Sequence, residues 1–249
     1  MWTEGLDIGS AVYLSVVTVA TVGYGDITPH TVAGKAVAVA FIVVGVVAFT
    51  GVIAHITESM VLGREEDFKR EKLKMIVSEL YSEVGTRMIG MLVPADPRIA
   101  EMRPVLAVDG SWDRSRFAAA ARDVTKREFA INSRLIDLPE LRLVLMAKAE
   151  LFLRILESPS LGNSARLADL VRAILHLKDE LSYRDDFTGL PEADLDHLGG
   201  DIARAYRMLT LIWLDYMEYT KDNYAYLFSL AVRVNPYKEH PSAVIEAAV

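Results

Sequence analysis

The feature that most constrains this 249-residue chain is a run without charge, AVAVAFIVVGVVAFTGVIA, from Ala36 to Ala54. With its flanks, Val32 to Leu62, it is long enough to cross a hydrocarbon layer of roughly 30 Å at about 1.5 Å per helical residue. Buried helices of soluble proteins seldom run this far without a polar face, so a membrane span is expected. Yet 24% of all residues are charged, which predicts a membrane segment joined to a soluble part. Arg64, Lys69, Arg70, Lys72 and Lys74 follow the run, whereas only Lys35 stands at its start. The excess of basic residues places the C-terminal end of the span in the cytoplasm.

A second apolar piece, Ile8 to Ala20, has thirteen residues and is too short to span. Its length suits a re-entrant helix that enters the bilayer and stops. The loop that follows, TVGYGDITP from Thr21 to Pro29, then lies at membrane depth. Irregular backbone is tolerated there only where protein buries it or where it lines a water-filled path. Met1-Trp2-Thr3-Glu4 has no basic region, so a signal peptide is not expected.

The hexamer Thr21-Val22-Gly23-Tyr24-Gly25-Asp26 resembles the selectivity filter of potassium channels. The resemblance extends over Trp2–Leu62: a short helix before the hexamer, Pro29 after it, and then an apolar spanning helix, in the order of pore helix, filter and inner helix. It implies a homotetramer in the cell membrane, in contact with lipid, with potassium as the permeant ion and no other cofactor. The ion ligands it implies are the backbone carbonyls of Thr21, Val22, Gly23 and Tyr24, with the Thr21 hydroxyl, while Gly25 and Asp26 complete the filter. Neutral carbonyl dipoles replace the hydration shell and still let the ion leave, whereas a carboxylate ring would hold it too tightly. Gly23 and Gly25 accept backbone angles that other residues resist. Tyr24 is expected to pack behind the filter, and Asp26 to concentrate cations at the outer mouth. Some relatives pair that Asp with a Glu in the pore helix; Val17 stands at the matching position here. Gly45 is the candidate gating hinge, with close helix contact through a small residue as the other reading. His55 stands near the inner mouth as an interfacial polar residue or a sensor of pH.

The family also has an outer helix before the pore helix. Only Met1–Asp7 precede it here, so an outer helix is expected upstream of Met1. The competing expectation is a non-conducting accessory or truncated subunit that assembles with other channel subunits, or a helical interaction protein carrying an incomplete pore. No Arg-rich helix of voltage-sensor type occurs.

Three segments follow: a pore module, residues 1–62; an amphipathic connecting helix, 63–93, with Leu73, Val77, Leu80, Val84 and Met91 at helical spacing; and an all-α cytoplasmic domain, 94–249. Val93 to Asp113, with three prolines and a D-G turn, is expected to be a linker or an ordered loop. Helical patterns cover Arg114–Ile136, Pro139–Glu157, Ser164–Tyr183 and Glu192–Val234, and few stretches alternate at period two, so no strand is expected. The fold class is therefore all-α. Tyr206, Leu209, Trp213, Tyr216 and Met217 form a core stripe.

Other functions find little footing. The net charge of −7, without a basic stripe interleaved with aromatics, speaks against nucleic acid. The absence of cysteine excludes disulfides, thiolate chemistry and cysteine-bound zinc. The acids Asp185, Asp186, Glu192, Asp194, Asp196 and Asp201 do not follow calcium-loop spacing and are expected to be a solvated loop. His176 and His197 lack partners at metal spacing, no Ser/His/Asp set or carboxylate pair appears, and an enzyme is not expected.

Overall fold

The computed structural model describes residues 4–245; the expectations placed on Met1–Thr3 and on residues 246–249 lie outside them. Among the described residues every regular element is helical. The chain divides into two compact units, Met1–Asp67 and Phe68–Val249.

The first unit holds α1 (Ile8–Val19) and most of α2 (Val32–Leu80), which runs on into the second. Asp7 starts α1: its carboxylate accepts the Ser10 N–H at 2.9 Å and the Ser10 hydroxyl at 2.7 Å, which satisfies an otherwise orphaned helix donor. Thr31 does the same for α2, its hydroxyl oxygen accepting from the Gly34 N–H at 3.0 Å. Only two described residues of this unit are buried, and both are glycines: Gly34 and Gly45. A Cβ at Gly45 would lie 2.9 Å from a methyl of Val19, and one at Gly34 would lie 1.7 Å from a Glu4 carboxylate oxygen. The glycines let α2 approach α1 and the segment before it. Val39, Phe41, Val44, Val47, Phe49 and Val52 meanwhile stay exposed on the single chain.

The second unit is built around α9 (Glu192–Asn223). Seventeen of its residues are buried, from Leu198 to Thr220, so that it is enclosed on most sides. Against it pack α3 (Thr86–Leu92), α5 (Arg114–Lys126), α8 (Ala165–Ser182) and α10 (Ala225–Arg233), while α6 (Leu138–Ala147) and α7 (Ala149–Glu157) pack on α8. The stripe Tyr206, Leu209, Trp213, Tyr216 and Met217 is buried. Tyr81 stacks on Tyr216 at 5.1 Å and donates its hydroxyl to the Leu209 carbonyl at 2.5 Å. Tyr81 lies in a π-helical turn, Tyr81–Gly85, where a Cβ on Gly85 would meet its ring at 2.8 Å.

The proline-rich stretch takes the ordered form of its two expected forms. It holds a short helix, α4 (Ile99–Met102), and buries Ala95, Met102, Leu106, Val108 and Trp112. Asn235 fastens it, donating to the Leu106 carbonyl at 2.9 Å. Three helical patterns are shorter than expected. The one from Arg114 ends at Lys126, because Arg127 turns extended and Asn132 donates to the Ala95 carbonyl at 2.9 Å. The Pro139–Glu157 pattern breaks at Lys148, between α6 and α7. The last breaks at Tyr224, whose ring meets Tyr219 edge-on at 5.6 Å.

Candidate functional site

The glycine-rich hexamer begins where α1 ends, and its backbone is unusual. Thr21, Gly23 and Gly25 have φ of 56°, 55° and 77°, whereas Val22 and Tyr24 between them stay at negative φ. Side chains rarely occupy the left-handed region, and for a β-branched residue such as Thr21 it is a true outlier. Strain of this kind, of order 1–3 kcal/mol, concentrates where a function requires it. In a strand, successive carbonyls point to opposite sides. Reversing φ at every second residue turns successive peptide planes the same way, so that neighbouring carbonyls can share one side. Space does not select the glycines, since a Cβ on Gly23 or Gly25 would meet nothing within 4 Å. The backbone angle does.

The hydrogen bonds sort the same way. The N–H of Thr21 donates to the Thr18 carbonyl at 3.0 Å, and those of Val22 and Gly23 donate to the Val17 carbonyl at 3.0 and 3.3 Å. These bonds satisfy carbonyls left over at the end of α1. Among the described residues, no hydrogen bond ends on the carbonyls of Thr21, Val22, Gly23 or Tyr24. The first three donors of the loop face the protein, and its acceptors are left for something else. The end of α1 adds the partial negative charge of a helix C-terminus.

Two side chains hold the loop on its far side. The Tyr13 hydroxyl on α1 donates to Asp26 Oδ2 at 2.9 Å. Glu4 accepts the N–H groups of His30 and Thr31, each at 2.9 Å, and the Thr31 hydroxyl at 2.5 Å. Val17 has no carboxylate to offer Asp26; Tyr13, one helical turn earlier, brings a hydroxyl instead. Sequence reasoning missed Tyr13 and Glu4. The one signal for Tyr13 was a lone phenol on a helix without charge. Tyr24 is exposed on the single chain.

The ion channel family matches residues 1–61, and the family described as uncharacterized protein MJ1433, C-terminal helical domain, matches residues 69–233. The chain belongs to the family of the MJ1433 C-terminal helical domain, and its first 61 residues are an ion channel pore segment of the kind found in potassium channels. Three relatives come from Methanocaldococcus jannaschii. Uncharacterized protein MJ1433 is 34% identical over 194 residues, 78% of this chain and 77% of that protein. Probable potassium channel protein 2 is 36% identical over 114 residues, 44% of this chain and 33% of that protein. Potassium channel protein 1 is 37% identical over 75 residues, 30% of this chain and 22% of that protein. No solved structure matches the chain.

A pore segment accounts for α2 being the one described helix long and apolar enough to cross a membrane, and for its being hardly buried. The chain is a membrane-associated, channel-like protein, and family membership points away from an enzyme.

The other sequence candidates sort differently. The acids expected in a solvated loop are not all in one: Glu192, Asp194, Asp196 and Asp201 lie on α9, Asp201 is buried, and arginines take them up, with Arg184 holding Asp194 at 2.6 Å as well as Glu180 at 2.9 Å and Arg134 holding Glu192 at 2.9 Å. The Arg184 guanidinium keeps the Asp194 and Glu180 carboxyls below their ordinary range. His176 and His197 do have a shared neighbour, because their Nε2 atoms lie 3.1 and 3.5 Å from Oδ2 of the buried Asp201. Among the described residues no cluster of His and acids has the geometry of a metal site.

Proposed function

We propose that four copies of the chain form a potassium-selective pore in the cell membrane. Each copy contributes the carbonyls of Thr21, Val22, Gly23 and Tyr24 to one axis. The observation that carries this reading is the alternation of φ through Thr21–Gly25, with the N–H groups of Thr21, Val22 and Gly23 bonded inward and the carbonyls of Thr21 to Tyr24 free. A potassium ion losing its hydration shell needs such a column of neutral oxygens. Tyr13 steadies Asp26 at the outer mouth. The apolar side chains that α2 exposes on one chain are covered by lipid and by the other copies.

The basic residues Arg64 to Lys74 put the following domain in the cytoplasm. There it assembles the subunits or acts on the inner mouth, with Gly45 as the hinge. Support for a channel with such a domain comes from the two family matches, residues 1–61 and 69–233.

Flux measured by an ion-sensitive dye in liposomes carrying the full chain tests the reading. The expected result is potassium flux that sodium does not reproduce and that Gly23→Ala reduces at least tenfold. Equal potassium and sodium flux, or undiminished flux in the variant, contradicts it.

A further inference from the structure

The helical unit holds a groove of about 1080 Å³ that the pore does not use. One face of α8 and one face of α9 form two walls, and the chain from Thr125 to Ala130 forms a third. Small residues open it: Ala173 on α8 and Gly200 and Ala203 on α9 stand where larger side chains would close the space between the helices. A Cβ on Gly200 would meet nothing within 4 Å.

The groove's charge runs against that of the chain. The protein carries −7 overall, yet Arg98, Lys126, Arg127, Arg172, Arg204 and Arg207 line the groove against only Glu128 and Asp169. The ion pairs these make are single-pronged: Arg172 to Asp169 at 3.3 Å, Arg98 to Glu128 at 3.8 Å, Arg127 to Glu101 at 2.9 Å and Arg204 to the buried Asp201 at 3.4 Å. The two exposed pairs, Arg172–Asp169 and Arg98–Glu128, contribute little and give way readily. Arg207 donates to the Thr125 carbonyl at 2.9 Å, and neither it nor Lys126 meets a carboxylate among the described residues. Several guanidinium forks therefore face one space with donors to spare, which is the arrangement that suits phosphate oxygens.

The groove also has an apolar part. Phe129 and Met208 line it, both half-buried. Tyr206 props the Phe129 ring edge-on at 5.3 Å, which fixes its orientation. A rigid aromatic ring beside a flexible thioether offers a seat for a flat ring. Nothing in the linear sequence showed this, because the cations come from four separate segments.

We propose that this groove binds a phosphorylated small molecule with a flat apolar group, of the nucleoside polyphosphate type. The phosphates lie among Arg172, Arg204 and Arg207, and the flat group lies against Phe129. The proposal does not depend on conduction, so its test reads binding alone.

Calorimetric titration of the full chain in detergent uses ATP, inorganic tripolyphosphate and adenosine as probes. Expected are saturable ATP binding, at least tenfold weaker binding of tripolyphosphate, and none of adenosine. Arg172→Ala with Arg207→Ala weakens ATP at least tenfold. Gly200→Trp fills the open groove and abolishes binding while thermal unfolding stays unchanged. Absence of saturable ATP binding, equal affinity for tripolyphosphate, full binding in both variants, or displacement of ATP by a lower concentration of RNA overturns the proposal.

Discussion

The two units bury their apolar residues in opposite ways. In Phe68–Val249 the large side chains turn inward: Trp112, Trp213, Tyr81, Tyr206 and Tyr237 are each at most 2% exposed. In Met1–Asp67 nothing larger than glycine is buried among the described residues, and valines and phenylalanines line the outside of α2. One unit supplies its own core. The other leaves its apolar surface exposed, which the proposed pore would cover with lipid and further copies, and holds itself together by hydrogen bonds at the ends of α1 and by two close glycine contacts. On the proposed function, burial in the first unit is a property of an assembly, while burial in the second belongs to the chain.

The largest effect that could break this contrast is in the core. Trp213→Ala is expected to destabilise the helical unit by about 3–5 kcal/mol, seen as a large fall in the unfolding midpoint by circular dichroism in detergent. Phe49→Ala, on the exposed side of α2, should leave that midpoint where it was. Equal falls would mean that α2 has a protein core of its own.

The next effect sharpens how the first unit holds together. Gly45→Leu drives a side chain into Val19, where even a Cβ comes within 2.9 Å. Overpacking of this kind costs about 1–3 kcal/mol, and cross-linked oligomer should be lost on gels while the unfolding of the helical unit is unchanged. Recovery of oligomer with Val19→Ala in the same chain would locate the effect at that contact.

Smaller again is the loop's anchor. Tyr13→Phe removes one exposed hydrogen bond to Asp26, worth about 0.5–1.5 kcal/mol. Potassium flux should persist but decline faster during sustained conduction, and a flux record indistinguishable from that of the unaltered chain would deny Tyr13 its positioning role.

The smallest concerns pH and the second unit alone. Burial raises the Asp96 carboxyl above its ordinary value, against the pull of the Arg98 N–H at 2.8 Å. The folded chain therefore holds that proton at a pH where the unfolded chain has released it. Stability gained from this group is present below the ordinary carboxylate value and is lost as pH rises through the raised one. Asp96→Asn should be more stable than the parent at neutral pH, with the difference shrinking as thermal melts are taken toward pH 4.

How much of this was open to sequence follows from the same contrast. The span, the filter hexamer and the helical class stood in contiguous patterns: an uncharged run, a fixed word, a repeat near 3.6. Most helix ends carried a local mark, such as Asp113 and Asp137 as caps or Asn235-Pro236 as a stop. The break at Lys148 has no glycine or proline to announce it. Trp112 sits in a loop pattern yet is buried, its ring against Phe117 on α5 and its carbonyl accepting from Lys221 on α9, a hundred residues on. Tyr13 meets Asp26 thirteen residues away, and the cations of the groove come from segments that only the packing of α8 and α9 brings together. What was missed is what requires tertiary contact to exist.

The central claim is that backbone carbonyls freed by alternating φ select potassium. A reversal potential measured across a planar bilayer, with potassium on one side and sodium at equal concentration on the other, tests it most directly. The account predicts a reversal potential displaced far toward that of a potassium electrode, and a loss of that displacement in Gly23→Ala. A reversal potential near zero in the unaltered chain would contradict it.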